Sequence, residues 1–296
     1  MWSALRDGLA TLADADPIYV AGAVVLYVIS LFLVGARWRV FVRALGGDVS
    51  VWRATLANLG GIAAGNIAPA TRVGGEACRI ALVRQSGTVT WRQATIAAAW
   101  DRVAELPSIA VLAALSVGVL RPFVPVWRAR TLAIGALGVL VAVLVGVNVL
   151  KRSRNRLRHW ADYLAADRVS VGTYVTGTLL ASLMWIQDVL RLACATRAIG
   201  VSLSTSELAA LSMIAMLGGL VPAIAGLGPV EASLAAGLLA FGVSPANAVA
   251  VTAVERAISY GLSTAGGTLV ITLVSGRSLW AALRQSSATL PDTADL

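Results

Sequence analysis

The segment Asn66-Ile-Ala-Pro-Ala-Thr-Arg-Val-Gly-Gly-Glu-Ala-Cys-Arg79 sets two arginines, Arg72 and Arg79, on either side of a glycine pair, Gly74–Gly75, and an acid, Glu76. Guanidinium groups grip phosphate oxygens in pairs, and a helix N-terminus offers unbonded amides. Together with Asn66 this grouping is expected to bind an anionic lipid headgroup. Glu76, expected in the first turn of a short helix, would repel the same anion. Its structural alternative is helix capping, or pairing with Arg72 or Arg79. A second segment, Pro222-Ala-Ile-Ala-Gly-Leu-Gly-Pro-Val-Glu231, keeps the proline, the glycines and the acid but has no arginine.

Two acid–arginine pairs complete the set, Asp101–Arg102 and Glu255–Arg256. With Glu76 and Glu231 they are the candidate intramembrane charge and coupling residues. Arg102 can pair with Glu105 at i+3, whereas Glu255 and Arg256 diverge on a helix surface and each needs a partner on another helix. Arg102 and Arg256 are expected to clamp one half of the molecule to the other, with Glu76 facing Glu231 across a pseudo-twofold axis. Asp188 and Arg191 read as a local ion pair near a membrane interface. No catalytic set and no metal site is expected: Cys78 and Cys194 are too few for a soft-metal site, and His159 lies in an Arg-rich loop. Gly60-Gly61-Ile-Ala-Ala-Gly65 lacks the following Lys-Ser/Thr of a phosphate loop, and Gly61 with Gly65 has the spacing of close helix packing. No cofactor is implied.

The elements that must hold these residues are membrane helices. Of 296 residues, 58% are hydrophobic and 13% charged, about half the charge of a soluble domain. That excludes a cytosolic enzyme, a disordered chain and a nucleic-acid binder, and the net charge of +9 points to loops on an anionic membrane surface. A bilayer core needs about 20 apolar residues as helix. Ile18–Ala36, Thr131–Leu150 and Val169–Gln187 qualify, as do the longer Thr90–Leu120 and Ser244–Gly276 with their charges. Ala54–Thr71 and Leu208–Val230 are broken near their ends by Pro69 and Pro222, and the short helices Glu76–Val83 and Glu231–Phe241 follow. Broken hairpins of this kind are stable where protein buries the break. Lys151–Arg158, Arg37, Arg39 and Arg43 then face the cytoplasm, the N-terminus lies outside and the C-terminus inside a cytoplasmic (inner) membrane. Trp38 is expected at an interface.

The chain also repeats itself at a nearly constant offset. Val49–Ser50 corresponds to Val201–Ser202, Pro69–Ala70 to Pro222–Ala223, Glu76 to Glu231, Gly87 to Gly242, and Asp101–Arg102 to Glu255–Arg256. Thr90 with Gln93 and Ser204 with Glu207 form capping boxes, and Ser244 precedes Pro245 at a first helical position. The expected fold is an all-α polytopic membrane protein, one integral domain over residues 1–296. It holds two inverted repeats, about 37–120 and about 189–276, each with a broken or re-entrant hairpin. Inverted repeats with broken helices are a transporter architecture.

Asn66-x-x-Pro-Ala-x-Arg-x-Gly-Gly-Glu-x-x-Arg79, Asp101–Arg102, and Pro222…Gly226-x-Gly228-x-x-Glu231 with Gly242 and Glu255–Arg256 resemble the flippase-like domain family, also called the lysylphosphatidylglycerol synthase transmembrane region. The resemblance covers about residues 18–276. Asp101 stands where a glutamate is more usual, and an extra glycine precedes Glu76. Members include the flippase half of aminoacyl-phosphatidylglycerol synthases and stand-alone proteins of glycolipid, polyprenyl-lipid or hopanoid pathways. The resemblance implies handling of an anionic lipid between leaflets, not lipid aminoacylation, since no acyltransferase-like domain is present. A non-catalytic subunit of lipid or glycolipid biosynthesis is the alternative, and a membrane-embedded lipid transferase with Glu76 or Asp101 as base comes third. Partners compatible with the sequence are anionic membrane lipids, a lipid-biosynthesis enzyme and a second copy of the chain, but no nucleic acid.

Overall fold

The structure, a computed structural model, describes residues 2–67, 71–85, 87–120, 169–219 and 228–274. The span expected at Thr131–Leu150, the basic loop Lys151–Arg158 with His159, and the breaks at Pro69 and Pro222 lie outside these residues. Among the described residues all regular structure is helical. In chain order it comprises α1 (Trp2–Ala13), α2 (Pro17–Ala44), α3 (Val51–Ile67), α4 (Thr71–Arg84), α5 (Trp91–Leu120), α6 (Val171–Ala198), α7 (Thr205–Gly218), α8 (Pro229–Ala240) and α9 (Pro245–Val274).

Four of them, α2, α5, α6 and α9, are long and apolar enough to cross a membrane. Their outward faces stay apolar, as with Ile18, Val25, Ile29 and Phe32 on α2 and Leu179, Leu183 and Ile186 on α6. In water such surface would be a liability, and in a bilayer it is the solvated side. The chain is an all-α polytopic membrane protein.

The order helix, broken hairpin, long helix occurs twice. In the first half it is α2, α3–α4, α5, and in the second α6, α7–α8, α9. The first long helices pack on each other antiparallel. The amide of Asp16, before α2, donates to the carbonyl of Ala198 at the end of α6 (2.9 Å), and Gly177 near the start of α6 lies under Phe41 near the end of α2. The halves also interlock: α5 packs on α7, while Gly267 of α9 sits against the backbone of Leu59 in α3. No side chain would fit at Gly267, because a Cβ would fall 2.2 Å from the Leu59 carbonyl oxygen. Membrane helices use small residues in this way because dispersion contacts, not water exclusion, hold them together.

Matched local signals end and start the matched helices. α2 ends at Leu45 and Gly46, and α6 ends at Ile199 and Gly200, both glycines having positive φ (80° and 73°). Glycine takes that conformation without a Cβ clash, so the next amides can turn back to bond the last carbonyls of the helix. Both expected capping boxes form. Thr90 and Gln93 exchange bonds of 2.9 and 3.2 Å, and Ser204 and Glu207 exchange bonds of 2.7 and 3.3 Å. Ser244 accepts from the amide of Asn247, with Pro245 opening α9.

The long helices are also interrupted at matched places. α5 carries Pro107 five residues after Arg102, and α9 widens to a π-turn at Ala257–Leu262 just after Arg256. Proline removes one helical hydrogen bond and a π-turn inserts an extra residue, so each helix is distorted beside its arginine.

Candidate functional site

α4 begins at Thr71, five residues before Glu76, and this changes the expected anion cradle. Glu76 stands in the second turn rather than the first. Gly74 and Gly75 belong to the helix, so Gly75 offers a close approach instead of a free amide. A Cβ on Gly75 would meet the Gly61 carbonyl oxygen at 2.7 Å and the Gly65 Cα at 3.3 Å. The Gly61/Gly65 spacing is therefore a packing surface, as expected, and its partner is Gly75. Asn66 Nδ2 donates to Thr264 Oγ1 (2.8 Å), joining α3 to α9. Arg72 lies in the first turn of α4, and its side chain is outside the described residues.

The charged residues assemble into two networks, one in each half. In the first, Arg37 of α2 donates to Asp101 through Nε (2.6 Å) and pairs with Glu105 through Nη2. Arg79 of α4 reaches Asp101 at 3.4 Å and Glu76 at 2.8 Å, with its guanidinium 4.4 Å over the Trp38 ring. Arg102 closes the circuit, bonded to Glu76 at 2.6 Å and to Glu105 at 3.3 Å. Arg37, Arg79 and Asp101 are buried at 1%, 2% and 0% exposure, whereas the Arg102 side chain is 56% exposed.

In the second network Arg191 of α6 pairs with Glu255 of α9 and with Asp188 one turn earlier on its own helix. Arg256 donates from Nε to Glu231 at 2.6 Å, and the other oxygen of Glu231 accepts from the Gly228 amide at 2.6 Å. Glu231 thus caps α8 and also holds Arg256.

The two networks share a plan. Arg37–Asp101 and Arg191–Glu255 each join residues 64 positions apart, and Glu76–Arg102 corresponds to Glu231–Arg256. Several expectations change accordingly. Among the described residues the ion pairs of Arg102 and Arg256 join a long helix to the hairpin of their own half. Glu76 and Glu231 are each engaged by an arginine of their own half. Arg191 is more than a local pair, since it is 8% exposed and bridges α6 to α9. Glu255 and Arg256 do find separate partners on other helices, as their divergence required. Trp38 is 0% exposed, packed within the protein beneath Arg79.

Arg37 is the residue that sequence reasoning missed. Beside Arg39 and Arg43 it looks like one more cationic loop residue, yet it lies inside the spanning helix α2 and is the central cation of its network. The signal was available: Arg37 precedes Asp101 by the spacing with which Arg191 precedes Glu255.

A cavity of about 310 Å³ lies where the halves meet. It is bounded by α2, α3, α6, α7, α8 and α9, and Asp188, Arg191 and Glu255 are in its wall.

The chain is 26% identical over 292 residues to a UPF0104 membrane protein of Methanothermobacter thermautotrophicus (strain Delta H), covering 88% of this chain and 86% of that one. No solved structure matches it. Residues 1–267 match the family described as Lysylphosphatidylglycerol synthase TM region. A match over that length, on a scaffold that carries the paired Pro, Gly, Glu and acid–Arg positions twice, makes the chain a member of the lysylphosphatidylglycerol synthase transmembrane-region family.

Proposed function

We propose that this protein is a flippase-like carrier that moves an anionic lipid between the leaflets of a cytoplasmic membrane, without bond-making chemistry of its own. The observation that carries this is Arg102. It sits between the ends of a spanning helix with 56% of its side chain exposed, joined to a Glu76 that is 35% exposed. A half-exposed arginine within a spanning helix is costly unless polar groups meet it, and beyond its own Glu76 and Glu105 a phosphate headgroup is the polar group that lipids supply. Arriving phosphate would compete with Glu76 for Arg102 and, beneath it, for Arg79. Arg72, Glu76 and Arg79 recur at helical spacing along α4, so one face of that helix leads to the exchange point. Acyl chains stay in the lipid along the apolar outer faces.

The two halves are taken to be inverted in the bilayer. The antiparallel packing of α2 on α6 supports this, as does the reciprocal seating of α5 on α7 and α9 on α3. The bias of the loop arginines supports an N-terminus outside and a C-terminus inside.

The test is reconstitution in liposomes with a fluorescent anionic phospholipid and, separately, a zwitterionic one, following transfer between leaflets. The expected result is faster transfer of the anionic lipid than in protein-free liposomes. Arg102→Ala, Arg79→Ala and Arg72→Ala should each slow it by about tenfold, equivalent to ~1.4 kcal/mol. Transfer at the protein-free rate, or an Arg102→Ala rate equal to the parent's, defeats the proposal.

A further inference from the structure

The two long helices that carry an acid–arginine pair, α5 and α9, each begin in one half of the molecule and end on the other. Up to Arg256, α9 is tied to the second half: Glu255 pairs with Arg191 of α6, and Arg256 is bonded to Glu231 of α8 at 2.6 Å. From Thr264 onward it is tied to the first. Thr264 accepts from Asn66 of α3 at 2.8 Å, and Gly267 rests on the backbone of Leu59. α5 makes the reciprocal passage. Gln93 donates to the Leu45 carbonyl (3.0 Å), Asp101 pairs with Arg37 and Arg79, and Arg102 pairs with Glu76, all in the first half. Ser108 then meets Ser182 of α6, 3.0 Å between hydroxyl oxygens, and the helix packs on α7. The Trp100 ring touches Tyr174 of α6 edge-on, an apolar contact that tolerates sliding.

Each passage coincides with an interruption of the helix. Pro107 lies between Arg102 and Ser108 and removes the bond that would reach the Val103 carbonyl. The π-turn Ala257–Leu262 lies between Arg256 and Thr264. Its Ser259 carbonyl accepts from two hydroxyls, Tyr27 of α2 at 3.1 Å and Ser263 at 2.6 Å. Glycine inside a helix is destabilising relative to alanine, and at Gly267 close packing accounts for it. At Gly261, within the π-turn, packing among the described residues does not: a Cβ there would lie 3.9 Å from the Arg256 carbonyl oxygen, an ordinary contact. What Gly261 adds is backbone freedom.

The cavity lies between the parts these passages connect. Its wall holds Val34 and Asp188, Asn58 and Ser212, and Ile62 and Met216, each pair 154 positions apart and so at equivalent places in the two halves. A cavity lined by equivalent residues sits on the pseudo-twofold axis, where rocking of one repeat against the other changes access. We propose that Pro107 and the π-turn at Ala257–Leu262 are paired hinges on which the halves rock, opening and closing this cavity. The acid–arginine pairs stay fixed in their own half while the far ends of α5 and α9 travel with the opposite one. Helix interruptions of these two kinds are where such bending is absorbed. The inference rests on the carrier reading, to which it adds the moving part.

The test follows distance and not transport. In full-length protein with Cys78 and Cys194 replaced by alanine, spin labels are attached to cysteines introduced at exposed positions. One pair crosses the halves, Gln85→Cys just after α4 with Val171→Cys at the start of α6. The control pair, Gln85→Cys with Ala44→Cys at the end of α2, lies within the first half. Pulsed dipolar spectroscopy in phospholipid vesicles is expected to give two distances for the crossing pair and one for the control. Pro107→Ala with Gly261→Ala, which makes both helices continuous, should lower the less populated crossing distance about fivefold. Both changes install the best helix former, so the variant is expected to fold. A single narrow crossing distance, in vesicles with and without anionic phospholipid, overturns the proposal. Two distances whose ratio is unchanged in the variant overturn it equally. If the double variant is not monodisperse, the two single variants are read by the same criterion. Lipid transfer is measured separately: transfer without a second distance removes the hinges and leaves the carrier, and a second distance without transfer does the reverse.

Discussion

The two halves of this molecule have one scaffold and two electrostatic circuits. In the first half each acid touches two arginines: Asp101 meets Arg37 and Arg79, Glu105 meets Arg37 and Arg102, and Glu76 meets Arg79 and Arg102. That circuit is closed at its buried end and open at Arg102. In the second half, among the described residues, Arg191 alone pairs with Asp188 and Glu255, and Arg256 holds Glu231. Here the central arginine is buried beside the cavity, and the outer pair is less exposed than its counterpart in the first half, at 18% and 27% against 56% and 35%. Helices in the two halves can thus keep matching packing while their charged side chains pair differently.

The sharpest way to break this comparison is to remove the central arginine from each half. Arg191→Ala leaves Glu255 and Asp188 with no cation among the described residues. Stripping one partner from a buried ion pair costs about 3–5 kcal/mol. Arg37→Ala leaves Asp101 with Arg79 and Glu105 with Arg102, so its cost should fall to about half of that. Thermal unfolding in detergent at fixed pH measures both. Equal losses, or a larger loss for Arg37→Ala, would show that redundancy in the first circuit carries no energy.

The spans around α2, α5, α6 and α9 were legible in the sequence because apolar length alone decides what crosses a bilayer. The capping boxes were legible because their bonds are made within three residues. The matched acid–arginine positions were legible because Glu is rare here and recurs in register with an adjoining Arg inside apolar segments. Partner choice was not. Whether Arg102 reaches Glu76 or the opposite half depends on how α4 is tilted against α5, and no local signal encodes that tilt. Arg37 was hidden for a different reason. Charge density predicts a loop, and the chain extends α2 beyond the apolar stretch so that the first arginine of a basic cluster is buried. The start of α4 was misjudged because Gly74 and Gly75 read as a break, whereas in membranes glycine often marks close helix contact.

A second pair of variants tests the hairpins. At Gly75 a new Cβ would press on backbone, the Gly61 carbonyl at 2.7 Å, which cannot turn aside. At Gly237 in α8 it would press on the end of the Leu211 side chain at 2.6 Å, which can change rotamer. Forcing atoms into a packed contact costs about 1–3 kcal/mol, offset by about 1 kcal/mol of helix propensity gained when Ala replaces Gly. Gly75→Ala should therefore be destabilised by up to about 2 kcal/mol and Gly237→Ala left near the parent, both read as unfolding midpoints. If Gly237→Ala loses more, the second hairpin is the more rigid of the two.

The smallest expected effect bears on what the halves still have in common. Thr90→Ala and Ser204→Ala each delete the side-chain oxygen of a capping box whose reciprocal bonds are nearly the same length in both halves. Each should cost about 1 kcal/mol, and the two values should agree within about 0.5 kcal/mol, because a cap acts over one turn and does not sense the charges further along the helix. Hydrogen exchange at the first amides of α5 and α7 would localise the loss to those turns. Equal caps together with unequal arginines would place the divergence of the halves in their charged side chains. Unequal caps would move it into the scaffold, and the hairpins would then have to be treated as different structures that happen to share a motif.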